Sequence, residues 1–434
     1  MHSLKIFQRM TKIYFLILIG YFKGYIKYLD IDYKSSGILN RNDINKLFSE
    51  ITIEIIEKMG PTFIKFGQVL SSRPDLLPAF FINSLKKLQD DVAPFPYNQV
   101  ENTILSEFNK KPTEIFKEFN KTPVASASVA QVHKAILSSG EVVAVKIRRP
   151  NIKKNMLFDL TILKNFSKFA EKISNKARLI NLVNIIKELE KALIEQLDFN
   201  KELKNLEEFI ENFKNDKEIV FPKPFKEYSN EKILVMEFID GVKPTEYEKI
   251  NANPEKIAKL GLDASLKMIY RDNFFHADPH PGNVFVIDKG NKIAIIDCGV
   301  IGRISSKEKK ITLNFILGVI QSDSAKVAES IFQACGGYDS YPNINYNDYY
   351  IDINKMFNQY VSNLKLSELE FSVIISKLYA IIARHKIKIV ANYTMIFVAL
   401  ITIEGLAKSL VPDFDLIEQT RFYAFDIMSA LEII

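Results

Sequence analysis

The chain has 434 residues, 47% of them apolar and 25% charged, an ordinary globular balance with room for about two to three domains. Two cysteines exclude a disulfide scaffold and a multi-cysteine zinc module, and sixteen Gly with sixteen Pro exclude collagen-like and low-complexity classes. The 58 Lys and Arg against 52 Asp and Glu leave a net charge of +6, too small to argue for a nucleic-acid partner.

That excess is concentrated at the start. Met1 to Leu29 contains no Asp or Glu but carries Lys5, Arg9, Lys12, Lys23 and Lys27. Between Lys12 and Lys23 the run Ile13 to Phe22 is uncharged and mostly large and apolar, shorter than the roughly 20 residues a spanning helix needs. Tyr25, Ile26 and Lys27 are wrong for a signal-peptide cleavage site. Two readings stand: an amphipathic segment lying on an anionic membrane surface, or a plain helix packed on the body of the protein.

Residues 43–120 read as mostly helical, punctuated by Gly60-Pro61 and Pro94-Phe95-Pro96. The pattern then becomes alternating and β-branched. Val129 to His133 and Glu141 to Ile147, separated by Ser138-Ser-Gly140, predict a β-hairpin. Residues 150–215 return to helical periodicity. Ile233 to Ile239 predicts a further strand, and Asn283 to Asp297 a hairpin turning at Lys289-Gly290-Asn291. From Pro254 the rest is mainly helical. Ile389 to Ile403 lacks charge but falls short of spanning length, so it reads as a buried core helix, and no confident transmembrane helix is expected. The plan is α+β: a small β-rich part among helices, then a larger helical part.

The usual nucleotide and hydrolase fingerprints are missing. There is no G-x-G-x-x-G, no P-loop, no G-x-S-x-G elbow and no H-E-x-x-H. One constellation remains. Asp278 and Asn283 lie in His276-Ala-Asp-Pro-His-Pro-Gly-Asn283, and Asp297 follows at the end of the predicted hairpin, before Cys298-Gly299. A phosphotransferase catalytic loop has this order: Asp, Asn five residues on, a hairpin, then Asp before Gly. Mg²⁺ on a nucleotide phosphate wants hard oxygen ligands from one or two protein groups. Asn283 and Asp297 supply them from the two ends of one hairpin. Asp278 is then placed to accept a proton or orient water. Upstream, Lys146 closes Val142-Val-Ala-Val-Lys146 on a strand, where a phosphate-contacting Lys belongs, and Glu202 on the following helix is its expected partner. Met236-Glu237-Phe238 ends a strand where an adenine-binding hinge should be. A metal cluster built on His276, Asp278 and His280 would need ligands that a chain with five His hardly provides, so these two His are read as holding the loop by hydrogen bonds. Phe274-Phe275, Cys298 and Cys335 are read as core.

These features, with Lys65-Phe-Gly-Gln68, Ser71 to Pro78, Leu88 to Pro96, Pro123 to His133, Val143 to Pro150, Asp297 to Arg303 and Glu404-Gly-Leu-Ala, resemble the UbiB family of atypical protein-kinase-like proteins, linked to coenzyme Q. The resemblance covers about Ile53 to Tyr423. It implies a protein-kinase-like two-lobe fold with an N-terminal helical extension and a mainly helical C-lobe. The segments would be a basic N-terminal segment over 1–42, a K-x-G-Q extension over 43–120, an N-lobe over 121–239 and a C-lobe over 240–434. It makes Lys65 an active-site residue, carried into the cleft by the extension. It makes Ala125, Ser126, Ala127 and Ser128 an Ala-rich loop that shapes nucleotide preference. It implies ATP or ADP with Mg²⁺ as cofactors and a Mg²⁺-dependent kinase or ATPase activity supporting ubiquinone synthesis. The partners implied are anionic membrane lipid, quinone-biosynthesis enzymes and a second copy in a homodimer, with no nucleic acid.

The chain departs from the family at three places. Gln196-Leu-Asp198 stands for an E-x-D that would partner Lys65, with Glu195 as a substitute. Cys298 replaces an aromatic residue. No pair of C-terminal membrane spans precedes Ile434, so the expectation is a cytoplasmic protein in peripheral contact with a membrane. Two other readings are a small-molecule phosphotransferase of the choline or aminoglycoside kinase type, and a scaffold that binds nucleotide or lipid without catalysis.

Overall fold

Residues 130–148 form the hairpin that their β-branched alternation predicts. In the computed structural model, which describes residues 2–34, 41–71, 79–85, 88, 92–175, 178, 181–361, 370–416 and 418–420, strand β3 (Ala130–Leu137) pairs antiparallel with β4 (Val142–Arg148) across the expected turn. Residues 72–78, 89–91 and everything past Thr420 in the quoted motifs therefore fall outside the described residues. The described chain divides into two compact units: residues 1–201 with 224–238, and residues 202–223 with 239–434.

In the first unit, β1 (Phe116–Phe119), β3, β4 and β6 (Ile233–Glu237) form an antiparallel sheet, with β2 (Ala125–Ser126) paired to β3. β1 is a strand at the end of a stretch, 43–120, that is mostly helical as expected. Its four residues carry too little pattern to separate from a helix end, and pairing with β3 decides its form. Val143, Val145 and Ile147 point from β4 into a core shared with Val100 and Ile104 of helix α5 (Tyr97–Phe108). Alternation therefore sends Lys146 and Arg148 to the opposite face.

Helices α1 (His2–Lys34), α2 (Arg41–Met59), α3 (Pro61–Ser71), α4 (Ala79–Leu85), α6 (Pro112–Ile115), α7 (Ile152–Ile173) and α8 (Leu182–Glu195) complete this unit. The packed-helix reading of the N-terminal segment holds along one side of α1. Ile13 and Leu16 pack with Ile51, Ile55 and Phe63, and Gly24 lets α1 sit on Ile51 where any Cβ would collide. Arg9 turns inward, donating to Asp159 of α7 at 2.8 and 3.0 Å and to the Met59 carbonyl at 2.8 Å. The other side of α1 is exposed and apolar, including Tyr14 (62%), Phe15 (52%), Leu18 (52%) and Phe22 (64%).

Helix α9 (Phe199–Asn212) runs from the first unit into the second. The second unit holds two small sheets. β5 (Ile219–Val220), β9 (Lys292–Ile295) and β8 (Val284–Ile287) form one, and β7 (Phe274–His276) with β10 (Ile301–Arg303) forms the other. Phe209 of α9 stacks on Phe221 at 4.9 Å and meets Phe274 at 4.4 Å, so the Phe274-Phe275 pair is core as read.

The remainder is helical: α10 (Pro254–Leu266), which continues into a π-turn over Lys267–Arg271, then α11 (Ser306–Ile320), α12 (Ser324–Ala334), α13 (Gly337–Ser340), α14 (Tyr346–Tyr360), α15 (Phe371–Arg384) and α16 (Ala391–Leu410). Among the described residues, α16 is the one helix long and apolar enough to cross a membrane, and it is longer than the uncharged run suggests. It packs on α10 as a core helix, with Ile396, Leu400 and Ile403 buried. Glu404 on α16 is buried as well and accepts the amides of Phe371 and Ser372 at 2.9 Å each, which caps α15.

Candidate active site

The second unit gathers Asp278, Asn283, Asp297 and Glu202. β7 delivers His276, and the loop after it is tied to itself. The Asp278 carbonyl accepts the His280 amide at 2.7 Å and the Asn283 side-chain amide at 3.2 Å. His280 Nδ1 accepts the Gly282 amide at 2.8 Å. Because Asn283 donates through Nδ2, its Oδ1 is the atom available to a cation.

The hairpin β8–β9 then brings the chain back: Val284 pairs with Ile295, and the Ile296 amide donates to the Asn283 carbonyl at 3.0 Å. The two expected oxygen donors therefore stand at the two open ends of a paired hairpin. Asp297 Oδ1 accepts the Gly299 amide at 2.9 Å, which fixes its carboxylate plane. Glu202 is buried nearby, its Oε2 3.7 Å from where a Cβ on Gly299 would stand. Asn205, one turn along α9, donates to the Cys298 carbonyl at 2.9 Å. This contact steadies the segment in which Cys298 replaces an aromatic residue.

His276 is structural, as expected. Nδ1 accepts the Asp278 amide at 3.1 Å, so Nε2 carries the proton and donates to the Asp297 carbonyl. One ring links the start of the loop to the end of the hairpin. Among the described residues no group of three or more His, Cys, Asp or Glu is placed to hold a metal ion. The oxygens of Asn283 and Asp297 fit Mg²⁺ carried on a phosphate, which needs one or two protein ligands.

The first unit carries the other candidates. Strand register sets Ala125, Val132, Lys146 and Leu234 in one row across the sheet. Lys146 is half-buried, with Nζ 5.3 Å from the Phe199 ring centre. Ala125 and Ser126 form β2; Ala127 and the buried Ser128 lead into β3. Glu237 is exposed at the end of β6, and the Phe238 amide donates to the Val142 carbonyl at 3.0 Å. Glu202 begins the second unit, so it and Lys146 belong to different units.

Lys65 is half-buried on α3, which packs Phe66, Val69 and Leu70 against Ile185, Ile186 and Leu189 of α8. Gly67 presses on Leu88, whose carbonyl accepts from Gln68 at 3.3 Å. Gln196 closes α8, its amide donating to the Ala192 carbonyl. Glu195 pairs with Lys201 at 3.2 Å on the surface.

Lys243 is a contributor that the sequence did not reveal. Val242 bridges Val286 by two backbone hydrogen bonds of 3.1 and 2.8 Å, and this sets Lys243 beside the loop. Its Nζ donates to the Gly282 carbonyl and lies 4.0 Å from the centre of the Phe285 ring. Burial holds its pKa below the usual lysine value, against the pull of Glu246. A lone Lys before Pro244 carries no motif; only the bridge to β8 marks it.

Residues 87–331 match the family model of the ABC1 atypical kinase-like domain, and residues 353–415 that of the UbiB helical domain. A Clostridium pasteurianum protein, known as an uncharacterized protein in the hydrogenase 1 5′ region, is 35% identical over 86% of this chain and 70% of its own length. A Pseudomonas paraeruginosa protein named probable protein kinase UbiB is 32% identical over 83% of this chain and 68% of its own length. A solved Mycobacterium tuberculosis structure, described as a complex with erythromycin, is 23% identical over 80% of this chain and 92% of its own, with a TM-score of 0.48. The chain spans 70%, 64% and 68% of the lengths of the first three relatives it matches. A family model covering more than half the chain and relatives above 30% identity place it: the chain belongs to the ABC1/UbiB family of atypical kinase-like proteins.

Proposed function

We propose that this protein binds ATP or ADP with Mg²⁺ and acts as an atypical kinase or ATPase that supports isoprenoid-quinone synthesis at a membrane surface. The observation that carries the nucleotide reading is the hairpin that sets Asn283 at one open end and Asp297 at the other, with Asp278 in the loop before it and His276 tying that loop to Asp297. Bound Mg²⁺ would draw off the charge of the phosphate oxygens. Asn283 Oδ1 and the Asp297 carboxylate would hold it. The Asp278 side chain is exposed and adjoins the loop, where it can take a proton from an acceptor hydroxyl or from water. On the family resemblance, Lys146, the Ala125–Ser128 loop and Glu237-Phe238 of the first unit are nucleotide-binding residues as well. The quinone part rests on the family resemblance and on the relative named UbiB.

The membrane part rests on α1. Its exposed Phe15, Leu18 and Phe22 with Tyr14, Tyr21 and Tyr25 suit an interface that is apolar on one side and wet on the other. No acidic residue precedes Asp30, which favours anionic lipid. Arg9 is spent on Asp159 and Lys27 pairs with Glu50 at 3.1 Å, so fewer cations serve the lipid than the sequence offers.

Thermal unfolding with ADP or ATP, with and without Mg²⁺, tests the nucleotide reading. Nucleotide at 100 times its Kd adds about 2.7 kcal/mol of stability. A Mg²⁺-dependent rise in Tm, absent in Asp297→Asn, is expected; no rise with any nucleotide would favour the scaffold reading. ATP turnover stimulated by a soluble alcohol or amine would favour a small-molecule phosphotransferase instead. For the membrane, Phe15→Ser/Leu18→Ser/Phe22→Ser should lose co-flotation with phosphatidylglycerol vesicles while keeping its Tm. Unchanged flotation would remove lipid from the reading.

A further inference from the structure

Arg149 follows β4 and lies three residues past Lys146, outside the residues assigned to the nucleotide. Its backbone amide donates to the Val129 carbonyl at 2.8 Å. Its guanidinium binds on two sides. Toward the Ala-rich loop, Nε donates to the Ala127 carbonyl at 2.7 Å and Nη2 to Ser126 Oγ at 2.9 Å. Toward the segment entering from the helical extension, Nη2 donates to the carbonyls of Ala93 at 2.9 Å and Val92 at 3.2 Å. The guanidinium carbon also lies 5.5 Å from the centre of the Phe95 ring.

The same two segments meet directly, the Val92 amide donating to the Ser126 carbonyl at 3.3 Å. The entering segment is itself pinned to the sheet. Buried Gln131 on β3 accepts the Phe95 amide at 2.9 Å, and its side-chain amide meets His133 Nε2 at 2.8 Å. His133 Nδ1 meets the Asn120 carbonyl at 2.8 Å, which leaves Nε2 to accept from Gln131.

A loop that covers phosphates is normally a mobile element, and glycines make it so. Here the loop holds alanines and serines, and one cation ties it to a second segment. We infer that Arg149 is a latch: it fixes the Ala-rich loop to the segment entering from the extension and so sets how tightly the protein holds nucleotide. It is a positioning residue. Its guanidinium is committed to three backbone carbonyls and one hydroxyl, and it acts on nucleotide through the loop. A displacement of residues 92–95 is thereby passed to the loop without any contact between extension and nucleotide. The fork geometry matters, because Nε takes the Ala127 carbonyl while Nη2 takes the other three acceptors, and one lysine ammonium cannot stand at both nitrogen positions.

The inference rests on the nucleotide reading, and two measurements separate them. Amide exchange of the nucleotide-free protein tests the latch alone. In Arg149→Met, protection at residues 124–130 and 92–95 should fall while the amides of β4 and β6 keep theirs. MgADP and MgATP titrations test the consequence. Each charge-assisted hydrogen bond to the loop corresponds to a change of roughly tenfold, so Arg149→Met should weaken MgADP at least about tenfold, with Ser126→Ala showing a smaller loss.

Arg149→Lys decides between geometry and charge: it should behave as Arg149→Met. Full affinity in Arg149→Lys, or unchanged exchange in Arg149→Met, overturns the latch. If the wild type binds no nucleotide, the nucleotide reading falls and takes the affinity claim with it, while exchange at 124–130 still decides whether the loop is latched.

Discussion

His276 donates its Nε2–H to the main-chain carbonyl of Asp297, twenty-one residues further on, while its Nδ1 accepts the amide of Asp278. The ring is 3% exposed, so neither bond has water to replace it. His276→Ala leaves an amide and a carbonyl unpaired, each costing roughly 1–3 kcal/mol. We expect a Tm below wild type and loss of any Mg²⁺-dependent nucleotide shift, even though neither proposed metal ligand has been touched. Thermal unfolding with and without MgADP checks both. A full shift in this variant would mean that the hairpin ends hold their places without the ring.

Lys65 sits on a helix clamped between α8 and Leu88, so its substitution should leave the fold intact. On the family resemblance, Lys65→Ala changes nucleotide behaviour, for instance by allowing autophosphorylation. Incubation with radiolabelled ATP, followed by gel autoradiography and a turnover assay, reads this directly. Identical labelling, turnover and affinity would separate Lys65 from the site.

Glu231 accepts from Lys153 at 2.8 Å and from Arg148 at 3.0 Å, and these donors pull its pKa down to about 2. The folded value lies below the unfolded one. The stabilisation is therefore complete above the ordinary Glu range near pH 4.3 and is lost as pH falls toward the folded value. Half exposure of the carboxylate keeps the effect modest. In Tm measurements from pH 7 down to pH 3, Glu231→Gln should start below wild type, and the gap should narrow below about pH 4.3 without closing by pH 3. A constant gap would show that the charge on Glu231 contributes nothing.

Glu404 is the buried cap of α15, and burial raises its pKa against the pull of two amide donors. Glu404→Ala strands both amides, with an expected loss of about 1–3 kcal/mol. Glu404→Gln keeps one acceptor oxygen and should lose less. Urea unfolding of the two variants gives the order; equal losses would argue against capping as the role of this side chain.

The candidate loop was legible because its chemistry needs fixed spacing. Asn283 and Asp297 stand at the two open ends of a hairpin, Asp278 precedes Asn283 by five residues, and the alternation of Val284 to Ile295 announced that hairpin. The sheet of the first unit was readable for the same reason, through Val143, Val145 and Ile147. What stayed hidden depends on partners far away in sequence. Arg9 looked like a surface cation, yet its carboxylate lies 150 residues on. Arg149 and Lys243 bind main-chain carbonyls, which no residue type marks. β1 and β5 are too short to show a period and take their form from the strands they join.

The bidentate contact of Arg9 with Asp159 also bears on how the protein can be handled. Asp159 has 3% of its side chain exposed, and removing one partner of a buried pair costs about 3–5 kcal/mol. Trimming the first thirty residues would leave that carboxylate uncompensated and open Ile51 and Ile55 to water. The first helix is foundation as well as surface. Whatever it docks against would bear on α7 and α2 as a rigid wall rather than through a tether, and point changes on its outer side, not deletions, are the clean way to separate its two duties.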